Sequence, residues 1–195
     1  MRIGGWAPLS SCDWPGHLVT TVFCQGCPWR CGYCHNPGLL DPRGRAAVEW
    51  RQVTAHLARR EGLLDGVVFS GGEPLLQAGL AEAMREVRGL GFGVGLHTGG
   101  AFPRRFAELL EGGLVDWVGF DVKAAPDTYD RVTGARNSAA PALRSLRLLR
   151  ESGVAHQLRT TVDPGLLDHD DVAELGEWLA GQGLSGHVRQ RARPV

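Results

Sequence analysis

No cysteine follows Cys34 in this chain of 195 residues. Auxiliary metal clusters and a disulfide framework both need further cysteines, so the bulk of the chain is expected to carry neither. Lysine is nearly missing too: Lys123 is the only one among 21 basic residues, and the others are arginine. Against 21 acidic residues the formal charge is zero, which speaks against a polyanion such as nucleic acid as a partner. No apolar run approaches 18 residues, and Met1-Arg2-Ile3-Gly4 does not open a charged-then-apolar leader. Neither membrane spanning nor secretion is expected. Tyrosine occurs twice, asparagine twice and isoleucine once, the bias of GC-rich codons. In such a chain the scarce types are worth locating, and Lys123, Tyr33 and Asn36 all fall in stretches singled out below on other grounds.

What the chain does have is Cys27-x3-Cys31-x2-Cys34. Three thiolates so close can hold three irons of a [4Fe–4S] cube and leave the fourth without a protein ligand. An iron with an open position can bind and polarise a substrate. Cys24 extends the pattern to Cys24-x2-Cys27-x3-Cys31-x2-Cys34, a four-cysteine arrangement that also reads as zinc. Zinc modules usually separate two cysteine pairs by a dozen or more residues, and here three intervene. Cys24 ends the apolar run Leu18-Val19-Thr20-Thr21-Val22-Phe23, where a cysteine serves as a small buried hydrophobe. Cys12 stands alone and reads as a plain thiol. A set of clustered free thiols suits a reducing compartment, so a cytoplasmic location is expected.

Alternation supplies the fold class. Strands are expected at 18–23, 66–69, 93–96, 115–122, 155–162 and 187–190, from short β-branched or apolar runs. Helices are expected at about 48–60, 77–90, 103–111, from 141 to a stop at Gly153, and 168–182. Leu143, Leu146 and Leu149 form the expected buried stripe of the fourth helix, Val172, Leu175 and Leu179 that of the last. Arg144, Arg147 and Arg150 form a basic stripe, read as a solvated face with a docking surface as the alternative. Six strand–helix units with short connections imply a parallel α/β sheet with right-handed crossovers. Six are too few for a closed eightfold barrel, so a partial, open (β/α)6 barrel in one domain, residues 1–195, is expected, with a cysteine loop at 24–37.

In parallel β/α barrels, active sites gather where loops leave the C-terminal strand ends. Those ends carry the cysteine loop, Ser70-Gly71-Gly72-Glu73-Pro74, His97-Thr98-Gly99-Gly100, Asp121-Val122-Lys123, Arg159-Thr160-Thr161 and Gln190. The glycine pair can be a plain tight turn, or it can offer bare backbone and a carboxylate to an ammonium ligand. Asp121 and Lys123 lie on one face of a strand, and a local ion pair explains them as well. Arg159 inside an apolar strand needs an anionic partner such as a carboxylate.

The cysteine spacing, with Tyr33 just before Cys34, resembles the signature of radical S-adenosylmethionine enzymes. The stretch from Phe23 to Pro37 is more specific. It resembles glycyl-radical-enzyme activases, most closely the short activating proteins of anaerobic ribonucleoside-triphosphate reductase. Asp13-Trp14-Pro15-Gly16, Gly71 to Gln77, Asp121 to Ala124 and Arg159 to Gly165 match as well, and the similarity runs from about Ile3 to Pro194. The resemblance implies that Cys27, Cys31 and Cys34 ligate one [4Fe–4S] cluster whose fourth iron is chelated by S-adenosylmethionine. It places Tyr33 beside the adenine, Gly71, Gly72 and Glu73 at the methionyl amino group, Arg159 with Lys123 at the carboxylate, and Asp121 towards the ribose. Gln190 is a weaker candidate. One electron would then cleave the sulfonium, and the 5′-deoxyadenosyl radical would take a Cα hydrogen from a glycine of a large partner enzyme. Flavodoxin or ferredoxin is the implied electron donor.

One position departs from the family pattern. Members often carry Asp-Thr-Asn-Gly after the third strand, where the Asp helps bind a monovalent cation; this chain has His97-Thr98-Gly99-Gly100. That puts such a cation in doubt and leaves His97 able to donate to the cofactor carboxylate instead. The absence of a ferredoxin-like insert with eight further cysteines marks a minimal member. Two other functions stay in view: a radical enzyme acting on a small molecule or peptide, and a metal-stabilised binding module.

Overall fold

The computed structural model describes residues 1–192; the end of the resemblance at Pro194 lies outside them. Seven strands form one sheet in the order β1-β2-β3-β4-β5-β6-β7. They are β1 (Ile3–Ser10), β2 (Val19–Cys24), β3 (Gly66–Gly71), β4 (Gly93–Thr98), β5 (Trp117–Asp121), β6 (Ala155–Val162) and β7 (Val188–Arg191). From β2 to β7 every neighbour is parallel, and β1 is added antiparallel to β2 at the edge. Spatial order equal to chain order means that each crossover returns on the same side, so one layer of helices covers one face and the sheet curls, as in a barrel. Six parallel strands were expected and are present. The additional β1 was not, because two glycines and a proline in Ile3-Gly4-Gly5-Trp6-Ala7-Pro8 hide its strand character. Its pairing to β2, not its own propensity, makes it a strand.

The helices are α1 (Trp50–Leu57), α2 (Leu80–Gly89), α3 (Pro103–Glu111), α4 (Tyr129–Thr133), α5 (Ala139–Ser152) and α6 (His169–Gly181). The unexpected α4 has five residues, too short for any periodicity to show. On α5 the buried stripe is Ala142, Ser145, Leu146 and Leu149, so Leu143 is only half-buried. Positions i, i+3, i+4 and i+7 share one face, and the phase is set by the small residues that let α5 approach its neighbours. Leu175 and Leu179 are buried on α6 as expected, while Val172 is half-buried against the cysteine-loop cluster. Arg144, Arg147 and Arg150 are exposed.

Strand alternation sorts the sheet into two faces. Val22, Val67, Phe69, Val94, Leu96, Val118, Phe120 and Leu158 join Val53, Leu57, Met84, Val87, Phe106, Leu149 and Leu175 of the helices in the main core. The residues between them face inward: Val19 and Thr21, Val68 and Ser70, Gly95 and His97, Trp117 and Gly119, and Arg159. The turn between β1 and β2 folds into this interior from the N-terminal end of the barrel and inserts Trp14, which stacks on Trp117 at 5.7 Å between ring centres. A Cβ on Gly66, Gly93 or Gly95 would come within 3.0–3.3 Å of the Trp14 ring, so three glycines leave the volume that the indole fills. The barrel floor is thus closed by a side chain, and polar inward positions lie only above it.

Trp14→Ala would leave a cavity in that floor. It is expected to cost about 3–5 kcal/mol of stability, the range for large aromatic truncations, measured by urea unfolding of the apoprotein.

Candidate active site

The C-terminal ends of β2 to β6 surround a cavity of about 840 Å³, mouth included. Its walls include Cys27, Cys31, Cys34, Tyr33, Gly71, Gly72, Glu73, His97, Asp121, Lys123 and Arg159. Every site residue singled out with the motifs is therefore brought together, except one. Gln190, the register partner of Thr161, is exposed on the edge strand β7 and lines no part of this cavity. Cys24 is fully buried, away from the cavity, with its thiol pushed up to about 12 by burial and then by Glu73. Cys12 is exposed at the other end of the barrel.

The three cavity cysteines are half-buried and unpaired. Burial, then Glu73, pushes the Cys27 thiol up to about 12; burial also raises Cys31, while Lys123 works against it. Such thiols keep their protons until a metal replaces them. Among the described residues no trio of cysteine, histidine, aspartate or glutamate is gathered tightly enough for one ion. The three sulfurs are soft donors lining that cavity, the ligand type that an iron–sulfur cluster takes.

Gly71 and Gly72 owe their identity to the backbone beside them. A Cβ on Gly71, at φ +108°, would lie 2.4 Å from the Cys24 nitrogen, and one on Gly72 would lie 2.3 Å from the Gly26 oxygen. Their close approach lets Gly72 N–H donate to Cys24 O at 2.9 Å and Glu73 N–H to Gly26 O at 2.8 Å. The glycine pair thus pins the root of the cysteine loop and also lines the cavity.

Glu73 is 2 % exposed. Its Oε1 accepts from Thr98 Oγ1 at 2.7 Å and from Leu75 N at 3.1 Å, and its Oε2 accepts from Gly99 N at 3.1 Å. One carboxyl therefore ties the loop after β3 to the loop after β4. Burial pushes it up to about 7 although all three donors favour the ionised form. Thr98 and Gly99 carry no signal of their own in the sequence, and only the geometry of the two loops brings them to Glu73. Gly99 also leaves room for Trp29, since a Cβ there would be 2.3 Å from the indole. Trp29 packs edge-on to Tyr129 and walls the cavity.

Asp121 and Arg159 are register partners on β5 and β6. Arg159 Nε donates to Asp121 Oδ1 at 3.1 Å, its Nη2 lies 3.1 Å from the same oxygen, and Lys123 Nζ lies 3.4 Å from Asp121 Oδ2. Burial alone would raise Asp121, but Lys123 and then Arg159 outweigh it and hold the carboxyl at about 2. Burial opposes the Lys123 charge, yet Tyr33, Asp121 and Cys31 keep its ammonium well above the usual value. Two cations share one carboxylate, so the pair leaves net positive charge facing the cavity.

His97 lies below them. Its Nε2 is 2.7 Å from the Asp13 carbonyl, which can only accept, so the ring proton sits on Nε2 and Nδ1 accepts from Ser70 Oγ at 3.1 Å. Burial, then the Arg159 guanidinium 3.4 Å away, lowers His97 to about 4. The ring is neutral at pH 7 with both nitrogens engaged inside the protein. Gly119 admits it: a Cβ there would meet His97 at 2.8 Å and Arg159 at 3.0 Å. Asp13 belongs to the Asp13-Trp14-Pro15-Gly16 match, so that turn both plugs the barrel and steadies the histidine.

The model of the radical SAM superfamily matches residues 21–179. The pyruvate formate-lyase 1-activating enzyme of Escherichia coli K12 is 32 % identical over 193 residues, covering 93 % of this chain and 76 % of that protein. The pyruvate formate-lyase-activating enzyme of Clostridium pasteurianum is 31 % identical over 173 residues, covering 86 % and 71 %. A Methanocaldococcus jannaschii protein provisionally named a glycyl-radical enzyme activating enzyme is 30 % identical over 182 residues, covering 90 % and 74 %. Among solved structures, anSMEcpe with bound AdoMet superposes with a TM-score of 0.67 at 16 % identity over 87 % of this chain, and Streptococcus suis SuiB with 0.67 at 14 % over 91 %. The chain spans 49 % and 40 % of those two longer proteins, and the likeness is one of fold. This chain belongs to the radical SAM superfamily. Within it, the chain is an enzyme of the glycyl-radical-activase type, and its cofactors are a [4Fe–4S] cluster and S-adenosylmethionine.

Two outcomes test this geometry. Cys24→Ala is expected to retain the iron of the wild-type protein after reconstitution, whereas Cys31→Ala loses it, by iron analysis. For Glu73, the folded carboxyl keeps its proton up to about pH 7 and the unfolded one loses it near 4.5. Its contribution to stability is therefore complete below about pH 4.5 and is lost as pH rises to about 7. The stability difference between wild-type and Glu73→Gln apoproteins, from urea unfolding across that range, is expected to fall with rising pH.

Proposed function

We propose that Cys27, Cys31 and Cys34 hold the cluster, and that this chain uses it to install a glycyl radical on a large partner enzyme. The carrying observation is that three unpaired, half-buried thiols face a cationic pair across one cavity. When bound, the cluster and S-adenosylmethionine supply reductive cleavage of a sulfonium C–S bond and a 5′-deoxyadenosyl radical. The chain's own groups bind, orient and exclude water.

Lys123 and Arg159 present the positive charge that a carboxylate needs, and Asp121 fixes the direction of both by accepting from them. Because Asp121 already neutralises one charge, an anion entering here cancels the remaining one. Gly71 and Gly72 offer backbone to the cofactor's amino group. Glu73 is placed beside them, but its three internal bonds make it first a brace between two loops. Tyr33 supplies an aromatic wall for the adenine, and Trp29 closes the cavity behind it. Neutral His97 leaves Arg159 free of a competing positive charge.

The partner we favour is anaerobic ribonucleoside-triphosphate reductase, supported by the likeness of residues 23–37 and by the lack of any cysteine-rich insert after Cys34. The names of the relatives favour a second partner, pyruvate formate-lyase. Flavodoxin or ferredoxin would supply the electron.

The test is anaerobic reconstitution and electron paramagnetic resonance with each candidate partner. A reduced-cluster signal that changes on adding S-adenosylmethionine, followed by a glycyl-radical doublet on one partner, is the expected result. A signal indifferent to the cofactor would sink the proposal. Added potassium is expected to leave turnover unchanged, since a neutral His97 beside the Arg159 guanidinium disfavours a second cation; clear stimulation would reverse that reading.

A further inference from the structure

The cysteines sit on an excursion that leaves β2 at Cys24 and returns through the 3₁₀ turn Pro37–Leu39 alongside its own start. Two backbone bonds zip its ends, Gly26 N–H to Leu39 O at 2.7 Å and Cys27 N–H to Leu40 O at 3.1 Å. The remaining closure is made by one side chain. Gln25 is 2 % exposed, and its Nε2 donates both hydrogens across the gap, to Gly38 O at 3.1 Å and to Asp41 O at 2.8 Å.

Gln25 is itself held from behind. Its carbonyl accepts from Gln77 Nε2 at 2.5 Å and its N–H donates to Arg2 O at 3.0 Å, while Gln77 Oε1 accepts from Arg2 N at 2.7 Å. Two glycines make room for the amide. A Cβ on Gly44 would lie 2.3 Å from Nε2, and one on Gly4 would lie 2.6 Å from Oε1. Shape and donor count together select a primary amide here. A carboxylate would face two carbonyls with no hydrogen to give, and a leucine would leave both carbonyls short of a partner.

We propose that Gln25 is a positioning residue that locks the cysteine loop, so that Cys27, two residues on, and the cysteines after it stay in the arrangement that retains the cluster. This rests on the reading that Cys27, Cys31 and Cys34 hold that cluster.

The experiment reconstitutes wild-type, Gln25→Glu, Gln25→Leu and Gln77→Leu proteins. It follows iron release to the ferrous chelator bathophenanthroline and the g-values of the reduced cluster. Apoprotein circular dichroism serves as the check on folding. Both Gln25 variants are expected to release iron at least about tenfold faster, since the two part-buried bonds that close the loop are lost, and to show shifted g-values with an unchanged apoprotein spectrum. Gln77→Leu should show a smaller acceleration. Release rates and g-values equal to wild type in the Gln25 variants would overturn the proposal. If those variants do not fold, Gly44→Ala, which crowds Nε2 without removing a donor, must show the faster release; a wild-type rate there overturns it equally. A wild-type protein that takes up no iron would instead defeat the reading of the cysteines.

Discussion

The interior of the curled sheet is narrow, and each large inward side chain is admitted by a glycine beside it. Trp14 rests over Gly66, Gly93 and Gly95; His97 and Arg159 share the space above Gly119; Trp29 fits against Gly99. Interiors are close-packed, so a missing Cβ on one strand is what lets a ring or guanidinium from the next lie flat against it. The site depends on this constraint more than on any single polar bond. It sets the layers of the barrel, with an aromatic plug below, a neutral imidazole above it, and the Asp121 ion pairs at the top.

The electrostatics follow from those layers. Charges cannot be left unpaired in such a space, and Asp121 answers both Lys123 and Arg159 from the middle of the cavity wall. The excess of one positive charge is then available to an anionic ligand. His97 carries none, because both of its nitrogens are spent on Asp13 and Ser70. Glu73 lies apart from the ion pair and bonds only within the two loops it joins. Positive charge and loop rigidity are thus supplied by different residues, and either can be altered without removing the other.

Much of this was legible beforehand. The six parallel strands and five long helices follow from apolar periodicity, and the cysteine triplet, Asp121, Lys123 and Arg159 all lie where strand ends converge. Failures have local causes. β1 is made by pairing against β2 despite Gly4, Gly5 and Pro8, and α4 is shorter than any periodic signal. Gln190 follows the same strand-end logic and pairs with Thr161, yet β7 is a short, exposed edge and the residue lies outside the cavity lining.

Spacing of the cysteines and the order of apolar runs are properties of neighbours along the chain, and they determined the chemistry class and the α/β architecture. Tertiary structure decided what depends on residues far apart. It gave the Gly71–Gly72 pair both a tight backbone contact and a place in the cavity wall, turned Glu73 into a brace through Thr98 and Gly99, and used Asp13 to fix the tautomer of a histidine 84 positions away. Those outcomes are set by distances of a few ångströms between strands, and no local pattern carries that information.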